Sequence, residues 1–221
     1  GRGFALQIFL GVIIMQNEKV QKKDMDEFET GTTTLGLTTD EGVILAADKR
    51  AALGGRLVSN KHAQKIYKLD DKIGLTIAGS VGDAQKVVRM MRSQLNMKKL
   101  ETKELSIKGA GTLLANILHA NKMMPFMNQF ILGGIEEGEG ILYSLDPAGG
   151  LMPHEGYTAT GSGSQMAFGV LEDNHEEGMS HEEGKKVASR AIQAAIERDT
   201  ASGNGIMVAE ITENGFEIME D

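Results

Sequence analysis

Hydrophobic periodicity switches in blocks along this chain, and that switching restricts the fold more than any other feature. After Thr32 the apolar residues first follow a period of two. Residues 33–38 and 43–48 read as strands joined by Asp40-Glu41-Gly42, and 66–69 and 73–78 as a second pair around Asp70-Asp71. The period then lengthens. Val81, Ala84, Val88, Met91 and Leu95 recur at three- and four-residue steps, which predicts an amphipathic helix over 81–99. A second helix is predicted over 107–122, with Leu113, Leu114, Ile117 and Leu118 inward. Strands resume at 129–133, 141–145 and 157–160. Two more helices follow at 164–174 and 180–198, the second opening on the capping box Ser180-x-x-Glu183. Residues 206–211 and 216–219 close the chain as a hairpin over Glu213-Asn214-Gly215. Segregated blocks predict an α+β fold, not an alternating parallel one. Two helix pairs and two strand groups bury their apolar faces best as a four-layer αββα sandwich of two antiparallel sheets flanked by helix pairs.

Composition narrows the function classes. The chain has 221 residues, 41% of them hydrophobic, which suits one large domain. Its 28 glycines are nearly double the usual share of roughly 7% and fit a strand-rich chain with tight connections. There is no cysteine, which excludes disulfides, thiolate zinc sites and cysteine proteases and fits a reducing, cytoplasmic setting. A net charge of −8 without a Lys/Arg block argues against a nucleic-acid partner. The apolar run from Phe4 to Met15 is too short to span a bilayer, so no membrane partner is expected. Only Arg2 precedes that run and no A-x-A site follows, unlike a signal peptide. With Met15 as a plausible first residue, 1–14 reads as an extension upstream of the true start, or otherwise as part of a pro-segment. Residues 16–30 are polar, charged and expected to be flexible.

One stretch, Glu29-Thr30-Gly31-Thr32-Thr33-Thr34-Leu35-Gly36, admits two readings. Threonine is β-branched, so the run can simply open a strand. It can also be a self-cleavage site. A cut between Gly31 and Thr32 frees a residue carrying both a hydroxyl nucleophile and an α-amine, whose pKa near 8 makes it an available base. Gly31, lacking a Cβ, lets Thr32 Oγ approach its carbonyl.

Further segments stand in order along the chain: Ala46-Ala47-Asp48-Lys49-Arg50, Lys65-Ile66-Tyr67, Ala78-Gly79-Ser80-Val81-Gly82-Asp83-Ala84, Ser144-Leu145-Asp146-Pro147-Ala148-Gly149-Gly150, Thr160-Gly161-Ser162-Gly163-Ser164 and Glu197-Arg198-Asp199-Thr200-Ala201-Ser202-Gly203. With Gly31-Thr32-Thr33-Thr34-Leu35-Gly36 they resemble an archaeal proteasome β subunit, an N-terminal threonine hydrolase, over about residues 25–219. The resemblance implies a threonine endopeptidase that needs no cofactor or metal. It implies removal of residues 1–31 by autolysis, leaving a single catalytic domain over 32–221. Thr32 would be the nucleophile, with Asp48 paired to Lys65 beside it. An ammonium there would lower the hydroxyl's pKa, a task that suits lysine better than arginine. The Gly79 N–H would hold the oxyanion, aided by the helix that follows. Ser162, Asp199 and Ser202 would orient the amine and a water. Ala51, Ala63, Ile77, Val81 and Gln85 would line a deep, apolar pocket for the residue before the cut bond. The implied partners are β subunits in heptameric rings, α-subunit rings, a regulatory ATPase that unfolds and feeds substrates, and unfolded protein chains.

Taken singly, Asp48 and Lys65 could be surface or strand-edge charges, Gly79 a turn, and Ser162, Asp199 and Ser202 loop or capping residues. Two rivals stay open: an N-terminal hydrolase cleaving a small amide, and a catalytically silent structural subunit. No G-x-S-x-G surrounds Ser162 or Ser80, and the histidines form no H-E-x-x-H. His175 and His181, set among acids, are expected to face solvent, and the methionines to fill the core. The loop Gly54-Gly55-Arg56 is one residue longer than in some members of the family, which would alter the substrate groove. Many members also continue past the position of Asp221 into a final helix, which bears on assembly contacts.

Overall fold

The structure, a computed structural model, describes residues 31–53, 57–102 and 105–220. Residues 1–30 of the expected pro-segment and the Gly54-Gly55-Arg56 loop lie outside the described residues. Among those described, one sheet has the order β10-β1-β2-β11-β12, formed by Tyr157–Gly161, Thr33–Thr39, Gly42–Asp48, Ile206–Thr212 and Gly215–Glu220. The other has the order β5-β6-β7-β8-β9, formed by Ile66–Asp70, Ile73–Gly79, Asn128–Glu136, Glu139–Leu145 and Leu151–His154. Every recorded pairing is antiparallel. Helices α1 (Val81–Thr102) and α2 (Ile107–Ala120) cover one sheet, and α3 (Ser164–Asn174) and α4 (His181–Arg198) cover the other. This is the four-layer αββα sandwich.

The layers follow from strand alternation. In β2 all seven residues are buried. Ile44 and Ala46 pack with α3 and α4 residues such as Leu171 and Ala191. Val43, Leu45 and Ala47 turn to the opposite sheet and meet Ile131, Ile135 and Leu142. A strand apolar on both faces is the middle of a sandwich, not a solvent-facing edge. Outside it, Val87, Val88, Met91 and Leu95 of α1 pack against Ile73, Leu75 and Ile77 of β6. The capping box that opens α4 is present, with Ser180 and Glu183 bonded reciprocally.

Several expectations need correction. Strands β3 (Ala51–Leu53) and β4 (Leu57–Asn60) form a small ribbon too short for a readable period. Strand β9 was hidden because it carries Pro153, tolerated at the edge of a sheet. Val81 is 44% exposed and lies off the buried stripe of α1. His181 does not face solvent. It is 6% exposed, its Nδ1 is 2.7 Å from Thr39 Oγ1, and its Nε2 is 3.2 Å from Glu210 Oε2. The first turn of α4 points His181 at the sheet and leaves Glu182 and Glu183 outside. His175 is half-buried, edge-on to Tyr157. Met91, Met179 and Met207 fill core positions, but Met97, Met123, Met124 and Met152 are exposed. None of the helices among the described residues is long and apolar enough to cross a membrane.

Candidate active site

Thr32 immediately precedes β1 and is 2% exposed. Its Oγ1 donates to the Gly31 carbonyl oxygen at 2.7 Å, so the hydroxyl sits beside the carbonyl of the bond that precedes it. Gly31 is held to glycine by packing. A Cβ added there would lie 1.7 Å from the Ala201 Cβ, an overlap that requires the backbone to move.

Asp48 ends β2 opposite the start of β1, since Thr34 pairs with Ala47. It is fully buried. Its Oδ1 accepts from the Thr33 N–H at 2.9 Å and from Lys65 Nζ at 2.6 Å. Its Oδ2 accepts from the Arg50 N–H at 3.1 Å and the Gly203 N–H at 2.8 Å. These donors satisfy a carboxylate that would otherwise be costly to bury. Lys65 stands just before β5, so the pair ties the end of one sheet to the other. Burial holds the Lys65 pKa below the usual lysine range, and the Asp48 carboxylate opposes that shift.

A second chain of bonds reaches Thr32 from the far loops. The Thr32 N–H donates to Ser162 Oγ at 3.2 Å. Ser162 and Ser202 each donate to Asp199 Oδ2 at 2.6 Å. A hydroxyl has one hydrogen. With Ser202's directed at Asp199, Thr33 Oγ1 is the donor in its 2.8 Å contact with Ser202 Oγ. Asp199 is the C-cap residue of α4, and Ser162 lies between β10 and α3. Two helix-end loops thus bring Ser162, Asp199 and Ser202 to the start of β1.

Gly79 ends β6 with φ of 136°, in the region that favours glycine. A Cβ there would lie 2.0 Å from the Met127 carbonyl oxygen. Alternate N–H groups of a strand face the same neighbour. The Ile77 N–H donates to the Lys65 carbonyl at 2.9 Å, so the Gly79 N–H, two residues on, turns toward the same side.

Thr32, Lys65 and Gly79 line one cavity, together with Ala51, Ala63, Gln64, Ile77, Val81 and Ala84. The expected pocket residues are there except Gln85, which is exposed on α1. Gln64 and Ala84, not among the expected residues, line the cavity as well. In a helix both i+3 and i+4 from Val81 are plausible neighbours, and periodicity alone does not choose between them. The cavity holds about 10 Å³, not the depth expected. That is room for about one water. A larger cavity, about 730 Å³, opens at the other end of β1 around Thr38, Glu139 and His154 and contains none of this constellation. Among the described residues no cluster of three His, Cys, Asp or Glu side chains is placed to hold a metal ion.

Residues 28–211 match the family of proteasome subunits. The chain is 53% identical over 193 residues to the proteasome subunit beta of Methanocaldococcus fervens, covering 86% of each chain. It is 52% identical to that of Methanocaldococcus jannaschii over the same length and coverage. To that of Methanospirillum hungatei it is 46% identical over 192 residues, covering 86% of this chain and 91% of the relative. The chain therefore belongs to the proteasome subunit family, among its archaeal β subunits.

Proposed function

We propose that this chain is the proteolytic subunit of a proteasome core particle, a threonine endopeptidase that cuts unfolded proteins into peptides. The observation that carries the reading is that Thr32, Lys65 and Gly79 line one cavity. A nucleophile, a cation of lowered pKa and a backbone N–H at a strand-to-helix turn are the parts that acyl transfer requires.

Maturation begins when Thr32 Oγ attacks the Gly31 carbonyl carbon. The Oγ proton passes to the Thr32 nitrogen, the C–N bond breaks, and an ester joins Gly31 to Oγ, leaving Thr32 with an amine. Water then splits the ester, releasing residues 1–31 and a free Thr32 amine. The catalytic domain over 32–221 remains. In turnover that amine takes the Oγ proton, and Oγ attacks a substrate carbonyl. The Lys65 ammonium, positioned by Asp48, stabilises the negative charge developing on Oγ as its proton leaves, and the Gly79 N–H holds the oxyanion. Collapse breaks the peptide bond, the amine leaves with a proton, and water hydrolyses the acyl-threonine. Ser162, Asp199 and Ser202 hold the amine and that water in line. No metal or cofactor takes part. Ala51, Ala63, Ile77, Val81 and Gln85 select the side chain before the cut bond, with Gln85 at the exposed rim.

The subunit works in the cytoplasm in heptameric β rings between α rings, and an ATPase feeds it unfolded chains. The shared cavity favours an active enzyme over a silent subunit, and the proposed ring enclosure favours protein substrates over small amides. A peptide carrying an electrophile at its C-terminal carbonyl tests the chemistry. Reconstituted particles should carry the adduct on Thr32, found by peptide mapping. An adduct elsewhere with Thr32 unmodified would refute this assignment.

A further inference from the structure

The turn at Gly79 is held from below by a residue that the reaction itself does not call on. Asn128 opens β7 opposite Gly79 and is 1% exposed. Its Nδ2 donates to the Ser80 carbonyl at 3.0 Å. The assignment of N and O is fixed by chemistry, because a carbonyl oxygen offers no hydrogen to Oδ1. The Ser80 N–H donates to the Met127 carbonyl at 3.1 Å. Both backbone groups of Ser80 are therefore tied to residues 127 and 128, on the β7 side of β6. Lys65 and the cavity lie on the other side of Gly79, toward β5. The amide sits close beneath the turn: a Cβ on Gly79 would lie 2.9 Å from Asn128 Nδ2. Among the described residues Asn128 Oδ1 has no hydrogen-bond partner. A buried amide with one unpaired acceptor is a poor choice for packing alone, since a buried polar atom without a partner is destabilising.

We infer that Asn128 is a positioning residue for the oxyanion donor. Its side-chain amide fixes Ser80 so that the Gly79 N–H stays aimed at the developing oxyanion. The inference rests on the reading of Thr32 as nucleophile and Gly79 as donor.

Assembled particles carrying Asn128→Leu or Asn128→Asp test it. Leucine keeps the volume and removes the unpaired acceptor; aspartate keeps the shape and replaces the donor with an oxygen. Losing an oxyanion donor outright lowers kcat by about 10²–10³, so losing its support should lower kcat by roughly tenfold or more with KM nearly unchanged. A peptide aldehyde, which forms a tetrahedral adduct, should lose affinity in step with kcat. The same peptide as a C-terminal amide should bind as before. In Asn128→Asp the kcat deficit relative to the unsubstituted particle should shrink as pH falls, because a protonated carboxyl can again donate to the Ser80 carbonyl. If unsubstituted particles prefer the aldehyde but the variants keep that preference and their kcat, the role of Asn128 is overturned while the parent reading stands. Equal losses for aldehyde and amide also overturn it, as a purely structural effect. If unsubstituted particles bind aldehyde and amide alike, the Thr32 reading fails and this inference with it.

Discussion

Asp48→Asn separates the structural and chemical work of the buried pair. The carboxylate accepts two donors on each oxygen: the Thr33 N–H and Lys65 Nζ on one, the Arg50 and Gly203 N–H groups on the other. An amide keeps one acceptor oxygen and turns an NH₂ toward the other two donors. The less harmful orientation leaves the Arg50 and Gly203 N–H groups unpaired. At about 1–3 kcal/mol for each buried donor left unsatisfied, the loss is roughly 2–6 kcal/mol. For a chain of this size that lowers the melting temperature by on the order of 10 °C. Lys65→Met removes one donor and leaves Asp48 its three backbone partners. It also removes an ammonium whose charged form burial disfavours. Its stability loss should be smaller, about 1–2 kcal/mol. Both variants should lose peptide hydrolysis. The assay is thermal unfolding of each purified variant, followed by circular dichroism, beside turnover by reconstituted particles. A Lys65→Met chain that melts as low as Asp48→Asn would refute the donor accounting. Undiminished turnover in either would remove the pair from the mechanism.

Lys65→Ala should cut turnover by roughly 10²-fold or more in correctly assembled particles, with no rescue by Lys65→Arg, and steady-state kinetics checks both. The folded pKa of Lys65 lies below the usual 10.5. The unfolded chain therefore binds more protons between the folded pKa and 10.5, and stability rises with pH across that window. Lys65→Met should flatten that rise in a pH series of melting curves, and an unchanged slope would contradict the shift. Gly31→Ala should block or slow loss of residues 1–31, because its Cβ overlaps Ala201. The double variant Gly31→Ala with Ala201→Gly should restore part of it, since the residue-201 Cα still lies 2.9 Å from the added Cβ, and equal processing in single and double variants, read by intact mass, would exclude the steric cause. Fluorogenic peptides differing only before the cut bond should be cut faster with Leu or Tyr than with Arg or Glu, because Ala51, Ala63, Ile77 and Val81 offer a charged side chain no partner in place of its water. Faster turnover of the charged peptides would show the pocket assignment to be wrong.

The sandwich was legible because its longest elements carry strong periods. β2 is apolar on both faces, the buried stripe of α1 recurs at helical spacing, and Ser180 and Glu183 announce the start of α4. The shorter strands were not legible, because three or four residues define no period and Pro153 masks β9. At the site, the resemblance to archaeal proteasome β subunits, not the residues taken singly, suggested the partners of Thr32. Distances, donor directions and cavity depth depend on packing between elements far apart in sequence. His181 shows the same limit: acidic neighbours in sequence said nothing of the sheet beneath it. Asn128 gave no signal either, since an Asn ahead of an apolar run reads as an ordinary turn residue.

Whether Thr32 frees its own N-terminus is tested by intact-mass measurement and N-terminal sequencing of β chains reconstituted with α subunits from purified components. The unsubstituted chain should have lost residues 1–31 and begin at Thr32, while Thr32→Ala should keep the Gly31–Ala bond intact. A Thr32→Ala chain cut at that bond with no other protease present, or an unsubstituted chain still uncut in hydrolytically active particles, would contradict self-cleavage by Thr32.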